Sequence, residues 1–114
     1  MIKLMCFVKR NPALTREEFH HHWRTVHADL IRNNEAARRY VVHYEQNHRV
    51  PRDYDRPDSP GFDGMTVQWF DSFKDFIAMI SDPGYQAEIG PDERAMLDYP
   101  ATEFLITDAE ELIF

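Results

Sequence analysis

The segment Thr15-Arg16-Glu17-Glu18, followed by Phe19, Trp23, Val26 and Leu30, limits what this chain can fold into more than any other part of it. Thr15 and Glu18 have the spacing of a capping box, in which each side chain meets the other residue's backbone N–H and so fixes where a helix begins. From that start a turn of about 100° per residue sets the four apolar residues on one stripe, with His27 beside it rather than opposite. The spacing predicts a helix from about Glu17 to Arg32, broken by Asn33-Asn34. It also turns a titratable imidazole toward the core.

A strand precedes that helix. Over Ile2 to Lys9 one alternating set (Ile2, Leu4, Cys6, Val8) is wholly apolar and the other is apolar in its middle, so the strand is expected to be covered on both faces. A second strand is predicted at Arg39 to Gln46, with Tyr40, Val42 and Tyr44 on one face and Val41, His43 and Glu45 on the other. Residues 49–64 hold Pro51, Pro57, Pro60 and two glycines among aspartates and arginines, which is the composition of a loop, and a loop this long in a compact fold is usually functional or mobile.

Met65 to Phe70 reads as a third strand. Ser72 can cap a helix through Phe73, Phe76, Ile77 and Ile80, and Asp82-Pro83-Gly84 stops it. Pro91 to Leu97 suits a further helical turn or two, with acids near the positive end of the helix dipole. Thr102 to Asp108 is the last strand, with Phe104 and Ile106 on one side and Leu105 on the other. The order β-α-β-β-α-β is that of a ferredoxin-like α+β fold, a four-stranded antiparallel sheet with helices on one face. Two helices cover one side only, so a second copy of the sheet is expected on the other, giving a homodimer with a shared barrel.

At 114 residues the chain is expected to form one domain over 1–114. The net charge of −7 argues against nucleic acid and against an anionic membrane surface. Residues 1–50 hold 9 basic and 5 acidic groups and residues 51–114 hold 4 and 15, so the halves carry +4 and −11. A single cysteine, Cys6, rules out an internal disulfide, and the absence of a long apolar segment completes the expectation of a cytoplasmic protein.

Several pieces taken together resemble the EthD domain family of dimeric α/β barrel proteins. They are Phe7-Val8-Lys9-Arg10-Asn11-Pro12, Leu14-Thr15-Arg16-Glu17-Glu18-Phe19, Trp23-x-x-x-His27 and Arg39-Tyr40-Val41, then Phe62-Asp63-Gly64, Gln68-Trp69-Phe70-Asp71-Ser72 and Pro91-Asp92-Glu93. The resemblance implies a small cofactor-free dimer with a pocket in each protomer between sheet and helices, related to proteins found beside ether- and xenobiotic-degrading enzymes and in aromatic polyketide maturation. The triple His20-His21-His22 lies outside that pattern, so His20 and His21 are expected at the surface.

Within this frame His27 is the first candidate for acid/base work, because burial beside Trp23 favours the neutral, proton-accepting ring. Tyr40 and Tyr44 are candidates to hold a carbonyl oxygen as charge develops on it, with His43 turned into the barrel. Phe19, Trp23 and Trp69 are candidates for an aromatic pocket wall, and Asp92 for a further substrate contact. No metal site is expected, since no HExxH or Cys/His spacing occurs, and no glycine-rich phosphate loop or nucleophile motif points to a nucleotide or covalent intermediate. The reading is a cofactor-independent lyase or isomerase (decarboxylation, dehydration or cyclisation) acting on a small hydrophobic carbonyl or aromatic compound. The alternatives are a non-catalytic ligand-binding accessory protein and a cofactor-free monooxygenase.

Overall fold

The computed structural model describes residues 1–114. Four strands, β1 (Ile2–Val8), β2 (Val41–His48), β3 (Gly64–Phe70) and β4 (Glu103–Thr107), form one antiparallel sheet in the order β2-β3-β1-β4. Six short helices accompany them: α1 (Arg16–His22), α2 (Ala28–Asn33), α3 (Glu35–Tyr40), α4 (Phe73–Ser81), α5 (Pro83–Glu88) and α6 (Gly90–Met96). The sheet order and the helices on one face are those of the ferredoxin-like α+β fold. No helix is long and apolar enough to cross a membrane.

The local signals act as their chemistry requires. Thr15 and Glu18 close a reciprocal capping box at α1, and Ser72 accepts from the Asp75 N–H at α4. The core lies between sheet and helices in two clusters, one around Leu4, Ala36, Ala37, Phe70, Phe76 and Met79 and one around Cys6, Val8, Phe19, Trp23, Met96 and Leu97.

Two departures from the sequence reading matter for the site. The first helix is not a uniform α-helix, because Trp23–His27 form a π turn in which the Ala28 N–H donates to the Trp23 carbonyl. The Thr25 hydroxyl, inside this turn, donates to the His21 carbonyl at 2.6 Å. Five residues of α-helix would separate His22 from His27 by about 140°; the π turn brings them to one side. Val26, expected on the buried stripe, is correspondingly half exposed to solvent.

The second concerns Tyr40. It ends α3 instead of lying in β2, because Asn34 caps that helix through the Ala37 N–H and Glu35-Ala36-Ala37-Arg38-Arg39 are good helix formers. Ala36 and Ala37 are buried there, their small side chains letting α3 press against Leu4 and Phe70. The stop at Asp82 also begins a new helix, since Asp82 accepts from the Tyr85 N–H and caps α5. On α4, Phe76 and Met79 are buried while Phe73, Ile77 and Ile80 remain partly exposed.

Candidate active site

The end of β1 is stitched to the end of α6. Asn11 N–H donates to the Met96 carbonyl at 2.8 Å, and Asp98 N–H donates to the Lys9 carbonyl at 2.8 Å. This fixes α6 across the helix face of the sheet and sets its first turn, which contains Asp92 and Glu93, against the π turn.

Asp92 there receives two imidazoles. Its Oδ2 lies 2.7 Å from His27 Nδ1 and its Oδ1 lies 2.7 Å from His22 Nε2. His27 is 4% exposed, and burial lowers its proton affinity more than the Asp92 hydrogen bond and charge restore it, with His22 adding to the lowering. The ring is therefore neutral at pH 7. Because Asp92 occupies Nδ1, Nε2 is the ring nitrogen left without a hydrogen-bond partner in the molecule.

A cavity of about 640 Å³ lies between the sheet and α4 to α6, with His27 in its wall. Leu4, Cys6, Thr66 and Gln68 form its floor, since the β1–β3 register pairs Leu4 with Gln68 and Cys6 with Thr66 on the helix-facing side. Trp23, Tyr44, Tyr85 and Glu93 add aromatic and ionisable groups to the wall, and the partly exposed Ile80, Tyr99, Phe104 and Ile106 lie toward its mouth beside the edge strand β4. The size and mostly apolar lining suit a small organic molecule.

Glu93 is the group that motif reading missed. Burial raises its carboxyl to about 7, against a weaker opposing effect from the Tyr85 hydroxyl, which donates to Oε1 over a long 3.5 Å. Burial likewise keeps the Tyr44 phenol well above its usual range, so it remains an O–H donor. The signal for Glu93 was its place beside Asp92 in a helix start rich in acids, but sequence does not tell which of the neighbours points to solvent.

Of the residues singled out from sequence, the structure brings His27, Trp23 and Tyr44 to the cavity wall. It does not bring the others. Tyr40 packs with the Leu4 cluster at the end of α3 and does not reach the cavity. Phe19 is fully buried, its ring 5.4 Å from that of Trp23, and it fills core instead of lining space. Trp69 pairs with Lys3 and His43 on the opposite face, because Gln68 and Phe70 on either side of it face the helices. Asp92 stands behind His27 and does not line the cavity. His43 does lie on that far face, its ring 4.6 Å from Trp69. His20, expected at the surface, is instead half-buried and hydrogen-bonded through both ring nitrogens.

The EthD domain family profile matches residues 11–100. The chain belongs to the EthD domain family. Among solved structures, an ethyl tert-butyl ether D family protein from Bacillus halodurans is 15% identical, covering 96% of this chain and 99% of that one with a TM-score of 0.69. A dimeric ferredoxin-like protein from Bacteroides fragilis is 13% identical over 95% of each chain, TM-score 0.69. SnoaB, a cofactor-independent oxygenase from Streptomyces nogalater, is 11% identical, covering 98% of this chain and 95% of that one with a TM-score of 0.64. No curated protein matches the sequence. At these identities the likeness extends to the fold, and the chemistry has to be argued from the site itself.

Proposed function

We infer that this EthD protein is a cofactor-independent acid/base enzyme of lyase or isomerase type, acting on a small hydrophobic carbonyl or aromatic compound. The observation that carries this reading is His27, whose Nδ1 is held by Asp92 and whose neutral ring stands in the wall of the 640 Å³ cavity.

The roles follow from the protonation states. His27 Nε2, free and neutral, accepts a proton from a carbon next to a carbonyl. Asp92 fixes the ring's tautomer, with the N–H on Nδ1, and stabilises the imidazolium that forms. The Tyr44 hydroxyl donates a hydrogen bond to the developing enolate oxygen. Glu93, with its carboxyl raised to about 7, supplies a proton to another carbon or to a departing oxygen. A proton moved between carbons is an isomerisation; a proton delivered to a departing hydroxyl is a dehydration. The mostly apolar wall offers the carbanion few competing proton donors. A ligand-binding accessory protein would ask nothing of this arrangement beyond its shape.

The description of SnoaB as a cofactor-independent oxygenase favours a second reading with the same first step, in which the carbanion reacts with oxygen. The dimeric description of the Bacteroides fragilis relative supports a homodimer, and the far sheet face, where Leu105 on β4 is half exposed, is the surface we assign to it. The test is turnover of a panel of cyclic and acyl carbonyl compounds by the wild type and by His27→Gln, with oxygen consumption followed in parallel. Loss of activity by about two to four orders of magnitude in a folded variant is expected for a removed general base. Undiminished turnover would falsify the assignment, and stoichiometric oxygen uptake would replace the lyase reading with the oxygenase one.

A further inference from the structure

A second cavity, of about 350 Å³, lies on the outer side of the first helix where it meets the start of the 49–64 loop, and cationic side chains dominate its wall. Arg16, His20 and Arg24 recur every fourth residue and so share one helix face. Arg16 and Arg49 both stand 4.2 Å from the centre of the Tyr54 ring. Arg49 is spent on Asp53 and on the Phe62 carbonyl. Arg16 and Arg24 make no hydrogen bond or ion pair, so two guanidiniums with all their donors free face one cleft in a protein of net charge −7.

The hydrogen bonds behind those arginines are one proton short. Gln46 Nε2 donates to the Trp23 carbonyl at 2.8 Å, which fixes the amide so that its Oε1 accepts from His48 Nε2 at 2.9 Å. His48 therefore carries its hydrogen on Nε2, and its Nδ1 accepts from His20 Nδ1 at 2.7 Å. A neutral His20 then has only a lone pair on Nε2, 2.9 Å from the Tyr54 hydroxyl. That hydroxyl has a single hydrogen and also lies 2.6 Å from Asp63 Oδ1, which accepts from the Arg10 guanidinium as well, while the Arg10 backbone N–H donates to Asp63 Oδ2. Two acceptors compete for one hydrogen. A second proton on His20 resolves the conflict, with Nε2–H donating to Tyr54 and Tyr54 donating to Asp63.

The surroundings resist that proton. On the helix side His20 faces Arg16, Glu17, His21 and Arg24; from β2, the loop and the end of β1 it faces His48, Arg49, Tyr54, Asp63 and Arg10. Burial is the largest influence and lowers its proton affinity, Asp63 and Glu17 raise it, and Arg24 and Arg10 lower it. Burial, Arg24 and His20 push His48 down to about 4. An anion bound beside Arg24 would offset the lowering that this guanidinium exerts on both rings.

The geometry points to an oxyanion site: a carboxylate or phosphate group is held between Arg16 and Arg24 over His20, and its binding draws one proton into the His20–His48 pair. Guanidinium forks match both oxyanions in shape and charge, so the chemistry names this class and the probe selects within it. Binding and protonation are reciprocal: whatever factor the anion adds to the affinity for the proton, the proton adds to the affinity for the anion.

The experiment follows the histidine ring resonances of the full chain by NMR from about pH 3.5, below the lowered midpoint of His48, to about pH 8, alone, with inorganic phosphate, and separately with acetate. The expected result is that at least one anion raises the titration midpoint of His20 or His48 by about one unit, equivalent to about tenfold tighter anion binding to the protonated pair. A response to phosphate alone assigns a phosphate ligand, and a response to acetate alone assigns a carboxylate. In the folded Arg16→Gln/Arg24→Gln variant the shift should vanish, and the single Arg24→Gln variant, which keeps the Tyr54 stack, should show it weakened. Midpoints unmoved by either anion, or moved equally in the double variant, would overturn the proposal.

Discussion

Glu93→Gln separates the energetic consequence of the cavity from any chemistry carried out in it. The substitution keeps the shape of the side chain and the contact with the Tyr85 hydroxyl but removes the ionisation. In the wild type the folded carboxyl titrates at about 7, whereas the unfolded one returns to its ordinary value of 4.5. The folded state therefore holds this proton more tightly, and the group's contribution to stability is complete below pH 4.5 and is lost as pH rises toward 7. At 1.36 kcal/mol per pKa unit the whole loss is about 3 kcal/mol, most of which falls between pH 5 and pH 8. Urea unfolding of both proteins at these two pH values reads it directly. The variant should gain on the wild type by that amount on going from pH 5 to pH 8. A difference in stability that stays constant with pH would refute the claim that Glu93 is desolvated, and with it the choice of Glu93 as the proton donor.

Three other substitutions or measurements address neighbouring claims. Asp92→Asn should lower kcat by more than tenfold with KM little changed, since the amide no longer stabilises the His27 imidazolium; steady-state kinetics decides, and unchanged kcat contradicts the dyad. Gly64→Ala should destabilise the fold by about 1 to 3 kcal/mol, because an added Cβ would lie 2.4 Å from the Asn47 carbonyl oxygen and 2.7 Å from the Trp23 ring; the shift in urea midpoint measures it. Cys6, its thiol pushed up to about 12 mainly by burial, should be inert to a disulfide reagent at pH 8 until the protein is denatured; rapid labelling of the native protein would place it outside the core.

The boundaries of most elements were legible because they depend on short-range chemistry. Thr15 with Glu18 and Ser72 act within four residues of themselves, and the two-residue alternation of β1 and β4 survives in the sheet. The faces were harder to read. Strands apolar on both sides give no sign of which side meets the helices, which is why Trp69 was expected in the pocket wall and stands on the opposite face. Tyr40 looked like strand because it adjoins Val41 and Val42, yet the Asn34 cap six residues upstream outweighs that local β preference. The pairing of His20 with His48 depends on the register of β2, which follows a bulge between Val41 and His43 that the sequence does not announce. Periodic reading also assumed one pitch throughout the first helix. Val26 points outward and His22 joins His27 because that pitch changes.

The π turn at Trp23–His27 amounts to one residue more than a straight helix needs. Residues before it are oriented by the 49–64 loop and β2, through His20, and residues after it by α3, through the packing of Ile31. Shortening the chain by one residue at this place would leave the upstream half seated and rotate everything downstream by about 100°, carrying the imidazole of His27 out of the wall. The surplus residue is what allows a single rod to serve two differently directed surfaces.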